Sequence, residues 1–156
     1  MENRLENLRL EIDRLIMKKQ PDNSRCFHSH LYGVSNFCAL LALRRNLNPE
    51  LAITCGMLHD IYQITDGTTE KHAVKGAKVA KKILKDTKSY SDGEIDMITA
   101  AISVHSDKKG IHEPYGELLT DADVLSHCLY DPDYPVNERE IVRYKNLLKE
   151  LGCNYE

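Results

Sequence analysis

The chain has 156 residues, 42% hydrophobic and 29% charged, a balance typical of one folded globular domain and not of a disordered segment. Its net charge is −3 with lysine and arginine spread along the chain, so the sequence predicts no basic surface for a nucleic-acid duplex and favours a small substrate. No apolar run approaches the roughly 20 residues that a membrane-spanning helix needs, and the charged N-terminus is unlike a secretory signal, so we predict a cytoplasmic protein with no membrane partner.

The N-terminal segment, residues 1–20, predicts an amphipathic helix. Leu5, Leu8, Ile12 and Leu15 recur at intervals of three and four residues and therefore share one face. This face packs either on the rest of the chain or on a second subunit of a homodimer, and packing within the chain is the commoner arrangement.

Four further helices are predicted before residue 106, at residues 24–45, 49–60, 69–86 and 91–105. Asn48 and Pro49 supply an N-cap followed by proline at the first helical position, and Ser91 with Glu94 forms a capping box. The polar residues 61–69 predict a loop, and the glycine- and proline-containing stretch 106–119 predicts an irregular connection.

A sixth helix is predicted to begin at Thr120 and a last one to cover residues 137–152. No segment alternates polar and apolar residues with the period of a strand. We therefore predict an all-α fold, a single compact domain over residues 1–156 with about six to seven helices and its core at residues 24–130.

Histidine and aspartate occur at core-facing or helix-end positions of these helices. One such histidine is usually just hydrogen-bonded to a carbonyl group, but burying several without a shared partner is costly. A metal ion is such a partner, because imidazole and carboxylate are ligands of divalent Fe, Zn, Mn, Co and Ni. The candidate ligands are His30, His59, Asp60, His72, His105 and Asp123.

Three segments resemble the signature of the HD-domain phosphohydrolase superfamily. They are GMLHDI at residues 56–61, ITAAISVHS at residues 98–106 and LLTDADVLSH at residues 118–127, in the order that this family shows. The resemblance covers about residues 24–130 and implies a helical domain of the HD type.

The resemblance also implies a ligand set. Four residues match the family's ligands for one ion: His30, His59, Asp60 and Asp123. His72 and His105 match the extra ligands of a bimetallic subset, in which the paired aspartate bridges both ions. The implied cofactor is therefore one or two divalent transition-metal ions, with His59 and Asp60 as the catalytic pair and a metal-activated hydroxide as the attacking group.

The first ligand has two candidates, because Arg25-x-x-His28 also resembles the opening of the family's motif. We favour His30, which shares an apolar helical face with Val34. Arg25 and His28 are then candidate substrate contacts, although a surface histidine is the default interpretation of His28.

Other polar residues have weaker support. Lys75 and the adjacent pair Lys108 and Lys109 are candidate phosphate contacts at the mouth of the site, and the alternative for each is a solvated lysine. Asp121 either accepts a hydrogen bond from a ligand histidine or caps a helix. His112 and His127 have no motif support and are assigned to the surface or to packing.

The expected function is metal-dependent hydrolysis of a nucleotide or another small phosphoester. A compact nucleotidase or a dinucleoside-polyphosphate hydrolase fits the size of the chain, whereas no Gly-Tyr-Pro signature of the cyclic-dinucleotide phosphodiesterases occurs. The alternatives are a di-iron oxygenase of the same fold and a non-catalytic module that senses a nucleotide.

Overall fold

Eight α-helices form the regular structure that the computed structural model describes, over residues 3–154. They are α1 (Arg4–Lys19), α2 (Ser24–Arg44), α3 (Pro49–Leu58), α4 (Ile61–Asp66), α5 (His72–Thr87), α6 (Asp92–Val104), α7 (Pro114–Tyr130) and α8 (Ile141–Glu150), with a 3-10 helix at Pro21–Asn23. No strand occurs among residues 3–154, so the all-α prediction is confirmed. Residues 1, 2, 155 and 156 of the predicted domain lie outside the described residues. In the described part of the chain, no helix is both long and apolar enough to cross a membrane.

Two segments that we predicted as irregular are helical, and one of them, α4, raises the count above six to seven. Residues 61–66 form α4, because Ile61 and Ile64 both reach the core and outweigh the polar composition around them. Helix α7 begins at Pro114 and not at Thr120. Proline is well suited to the first helical turn, where a backbone N–H has no partner within the helix, so this proline starts a helix and does not interrupt one.

The core lies around α2, which packs along α3 and α7, while α5 packs mainly on α6. The α2–α3 contact depends on Gly56, because a Cβ atom at this position would lie 2.8 Å from the Ser35 Cα. This close approach brings the middle of α2 beside the end of α3, where the His-Asp pair follows.

Helix α1 packs on its own chain. Leu8, Ile12 and Ile16 are fully or almost fully buried, against α2, α3 and α4. Its first residue, Arg4, donates hydrogen bonds to Glu50 at the start of α3 and to Glu94 in the first turn of α6. One guanidinium therefore ties three helices together.

We expect Arg4→Ala to lower the free energy of unfolding by about 1–3 kcal/mol, because it removes charge-assisted bonds to two carboxylates at a partly buried position. Urea denaturation followed by circular dichroism measures the change. Arg14→Ala is the matched control, since Arg14 is 72% exposed and pairs with Glu11 of the same helix, and it should change the free energy by less than about 0.5 kcal/mol. Equal losses in both variants would contradict the role of Arg4.

Candidate metal centre

Six helices, α2 to α7, bring the six candidate ligands to one place. His30 lies in the first half of α2, and His72 is the first residue of α5. His59 and Asp60 form the junction between α3 and α4, where the chain leaves one helix and begins the next. His105 caps the C-terminus of α6, and Asp123 lies in the middle of α7.

The first group of ligand atoms surrounds one point. The Nε2 atoms of His30 and His59 are 3.0 Å apart. The Asp60 Oδ2 atom lies 3.4 Å from each of them. The Asp123 Oδ1 atom lies 3.3 Å from His30 Nε2 and 3.6 Å from His59 Nε2.

A second group forms around the other oxygen of Asp60. Its Oδ1 atom is 3.4 Å from His72 Nε2 and 3.5 Å from His105 Nε2. These two nitrogen atoms are 3.1 Å apart. The two carboxylate oxygens of Asp60 therefore face two separate groups, the arrangement that a bridging ligand requires.

The orientation of the imidazole rings directs their Nε2 atoms towards the cluster. The Nδ1 atoms of His59, His72 and His105 lie 2.7–3.0 Å from the backbone carbonyl oxygens of Gly56, Thr69 and Ile102, respectively. Because a carbonyl oxygen only accepts, each Nδ1 atom carries a proton, which leaves Nε2 as the ring atom available to bind an ion at the centre.

This arrangement fits a cation. Asp60 Oδ1 and Asp123 Oδ1 are buried and have no hydrogen-bond partner among residues 3–154. Buried carboxylate oxygens that lack a donor are costly unless a positive ion lies beside them. Two ligands about 2.1 Å from one ion are separated by roughly 3.0–3.4 Å, close to the distances between these atoms.

The pKa values reflect the same juxtaposition of charges. Burial alone would lower the pKa of His59, but Asp60 and Asp123 outweigh it and raise the pKa to about 10. Burial opposes ionisation of the two carboxyl groups, yet the surrounding imidazoles hold the pKa of both well below the usual range. The pKa of His105 is lowered, chiefly by burial, so this ring is held in the neutral form that binds metals.

Lys108 reaches the centre from the segment after α6. Its ammonium group donates a hydrogen bond to Asp123 Oδ2, and its side chain is 9% exposed. Arg143 on α8 holds this segment, because it donates hydrogen bonds to the carbonyl oxygens of Lys108 and Gly110.

The other predicted substrate contacts lie farther out. His28 is turned towards α1, where its Nε2 atom is 3.1 Å from Asp13 Oδ1 and its Nδ1 atom is 2.7 Å from the Ser24 carbonyl oxygen. Of the two histidines that compete for the first ligand position, the structure therefore places only His30 in the cluster. Arg25 is exposed and borders the same cavity as His30. The Lys75 Nζ atom lies 5.0 Å from the centroid of the Tyr62 ring.

His127, which we assigned to the surface or to packing, is exposed, and it also contacts the cluster. Its Nε2 atom is 3.4 Å from Asp123 Oδ1, and its ring is parallel to that of His30 at 5.2 Å. Its Nδ1 atom is 2.9 Å from Glu140 Oε1, which orients the ring. The i,i+4 spacing from Asp123 could have indicated that His127 lies beside this ligand. The contact with Glu140 could not be predicted, because Glu140 lies in a later segment of the chain.

Asp121 neither contacts a ligand histidine nor caps a helix, so both predicted roles were wrong. It lies inside α7 and accepts hydrogen bonds from Arg45 and Arg143 at 2.7 Å each. Asp121 thereby ties α7 to α8 and to the end of α2.

Two cavities open beside the cluster, and both are bordered by His30 and His127. One, of about 460 Å³, also contacts Asp60 and Gln63. The other, of about 350 Å³, includes Arg25. Each volume falls in the range of small-molecule sites.

The chain is similar in sequence to a known protein family and to several bacterial proteins. The sequence profile of the HD domain matches residues 27–128. An uncharacterized protein of Clostridium beijerinckii is 33% identical over 116 residues, which cover 70% of this chain and 71% of that protein. No solved structure shows a significant match.

Several other relatives are called Ribonuclease Y. The protein of that name from Geobacter sulfurreducens is 27% identical over 148 residues, and the one from Geotalea uraniireducens is 31% identical over 148 residues. The alignment covers 93% of this chain but 26% of each relative, so the chain spans about a quarter of the length of these proteins.

Proposed function

The chain belongs to the HD domain family, the superfamily of metal-dependent phosphohydrolases, and on this premise we propose that it hydrolyses a nucleotide or another small phosphoester at a centre of two divalent metal ions. Its ligands would be His30, His59, Asp60 and Asp123 for one ion, and Asp60, His72 and His105 for the other.

One observation carries this proposal. Two buried carboxylate oxygens, Asp60 Oδ1 and Asp123 Oδ1, have no hydrogen-bond donor in the described part of the chain and face the Nε2 atoms of histidines. A purely structural polar cluster would pair donors with acceptors. Buried carboxylate oxygens without donors, grouped with the Nε2 atoms of histidines, are suited to binding cations.

Divalent ions bound there would supply a hydroxide nucleophile at neutral pH and offset the charge of the phosphate oxygens. The contribution of the chain is to hold ligands rigidly: His59 is fully buried, and three rings are oriented by backbone carbonyls. Lys108, whose ammonium group contacts Asp123, is positioned to bind a phosphate oxygen of a substrate at the same centre.

The relatives called Ribonuclease Y favour a second candidate substrate, a phosphodiester of RNA. The same ligand set serves either substrate, since both react at phosphorus. The two candidate substrates, a small phosphoester and RNA, therefore differ in size and not in the reaction at the ions.

The test begins with protein purified without chelators. Elemental analysis should find close to two transition-metal ions per chain, and phosphate should be released from at least one nucleotide when manganese, iron or cobalt is added. Release under nitrogen supports hydrolysis, whereas oxygen consumption with mixed-valent iron would support the oxygenase alternative. Tight nucleotide binding without turnover under any metal would favour a sensing module and contradict the proposal.

We expect Lys108→Ala to raise KM for a phosphorylated substrate about tenfold, which corresponds to about 1.4 kcal/mol of lost binding. Lys109→Ala is the matched control, because it removes the same charge from the neighbouring, exposed position and should leave KM within about twofold. Metal content should be measured on both variants. A rise in KM caused solely by metal loss would contradict a direct phosphate contact.

A further inference from the structure

Basic charge is concentrated in one short part of the chain. Residues 71–88 hold seven lysines and a single acidic residue, Asp86, for a net charge of +6. The whole chain carries −3, so the remaining residues carry −9. We described the basic residues as spread along the chain and missed this asymmetry.

Helix α5 arranges four of these lysines in one row. Lys75, Lys78, Lys82 and Lys85 follow one another at three- and four-residue intervals, on the face opposite the buried Gly76, Ala80 and Leu84. At 1.5 Å per residue the row is about 15 Å long. We refer to these four residues as the α5 lysine row.

The charges of this row are not compensated within the described chain. None of the four lysines forms a salt bridge there, whereas Lys81, on the flank of the same helix, pairs with Asp96 of α6 at 2.9 Å. A helix face that serves only to be solvated usually mixes both signs of charge, and four unpaired lysines in line repel one another.

The row leads to the metal centre. His72, a candidate ligand, is the first residue of α5, and Lys75 follows it by one helical turn. Lys75 is oriented by the Tyr62 ring, over which its ammonium group lies at 5.0 Å. A flexible polyanion bound along the row would therefore have one of its phosphates close to the ions.

We propose that the α5 lysine row binds the backbone of a single-stranded nucleic acid whose phosphoester is presented to the metal centre. The inference rests on the proposed function and specifies its substrate class. At the stacked spacing of about 3.4 Å per nucleotide, the row is long enough for about four nucleotides.

Acidic residues flank the row and favour one strand over wider partners. Asp96 is exposed on the α6 side, Asp66 at the end of α4 and Glu70 in the loop before α5. The second backbone of a duplex, or a flat anionic membrane, would face these carboxylates. A single strand has only one backbone, which can bind along the row.

The salt dependence of binding tests this surface without requiring catalysis. A short fluorescein-labelled oligouridylate is titrated with the full chain in EDTA, and fluorescence anisotropy gives Kd. Four lysine contacts predict a slope of log affinity against log salt of about −3, and hence a loss of affinity of about fiftyfold between 50 and 200 mM salt. In the triple variant Lys78→Gln, Lys82→Gln, Lys85→Gln the loss should be only about threefold.

The control variant carries the same charge change at other exposed lysines, Lys18→Gln, Lys19→Gln and Lys149→Gln, and should keep the wild-type slope. Equal slopes in the two triple variants would overturn the proposal, as would row-dependent binding of a duplex or of phosphatidylserine vesicles in preference to the single strand. Hydrolysis of a chromogenic phosphate ester, measured with added manganese, should be unchanged in the row variant. If the wild type did not hydrolyse this ester, the proposed metal centre would be contradicted. The binding measurements would still test the α5 lysine row independently.

Discussion

Replacing Asp60 with alanine should remove both metal ions and lower activity by about 10³-fold or more, because one side chain supplies an oxygen to each group of ligands. A loss of that size corresponds to about 4 kcal/mol of transition-state stabilisation. The two oxygens lie 3.4–3.5 Å from four different imidazole nitrogens, so no other single residue could maintain either group in full. Elemental analysis and phosphate release measure the two effects on the same preparation.

The matched control is Asp96→Ala, which removes an aspartate that is 69% exposed and pairs only with Lys81 among the described residues. This variant should retain both ions and full activity. Circular dichroism of both variants separates metal loss from unfolding. An Asp60→Ala protein that is folded and still holds two ions would refute the bridging role.

The sequence was sufficient for the fold class because long helices carry redundant signals. The capping box of Ser91 and Glu94 and the Asn48 cap both form as predicted, since each depends on residues within one turn. Helix α4 was missed because its six residues are too few to show a period, and only its burial against the rest of the chain stabilises it.

The candidate site shows the same division between local and distant information. The six candidate ligands could be chosen from motif order and helical faces, and the structure brings them together. Glu140 and Arg143 could not be predicted in this way. They lie on either side of the start of α8, and Glu140 contacts His127 and Arg143 contacts Lys108 only once the chain has folded. Nothing in their local sequence distinguishes them from the solvated charges of a surface helix.

Asp121 illustrates a further limit. Its position two residues before Asp123 suggested a role beside the ligands, yet successive positions of a helix point in different directions. The side chain instead faces Arg45 and Arg143. Sequence proximity to a ligand therefore predicts little on a helix unless the spacing is three or four residues.

The second group of ligands can be tested apart from the first. We expect His72→Ala to lower the metal content from two ions per chain to one and to reduce activity by about 10²–10³-fold. His72 contacts Asp60 Oδ1 and His105, but the four ligands of the first group remain in this variant. Its side chain is 21% exposed, so truncation should disturb the core little.

His28→Ala is the control for this variant, because its imidazole is 30% exposed and lies against Asp13, away from both groups. Its metal content should equal that of the wild type, which would also support His30 over His28 as the first ligand. His105→Gln should reproduce the loss of one ion, since it removes the other nitrogen ligand of the same group. If His72→Ala and His105→Gln both kept two ions, the second group would be a hydrogen-bonded cluster and the centre would hold its metal elsewhere.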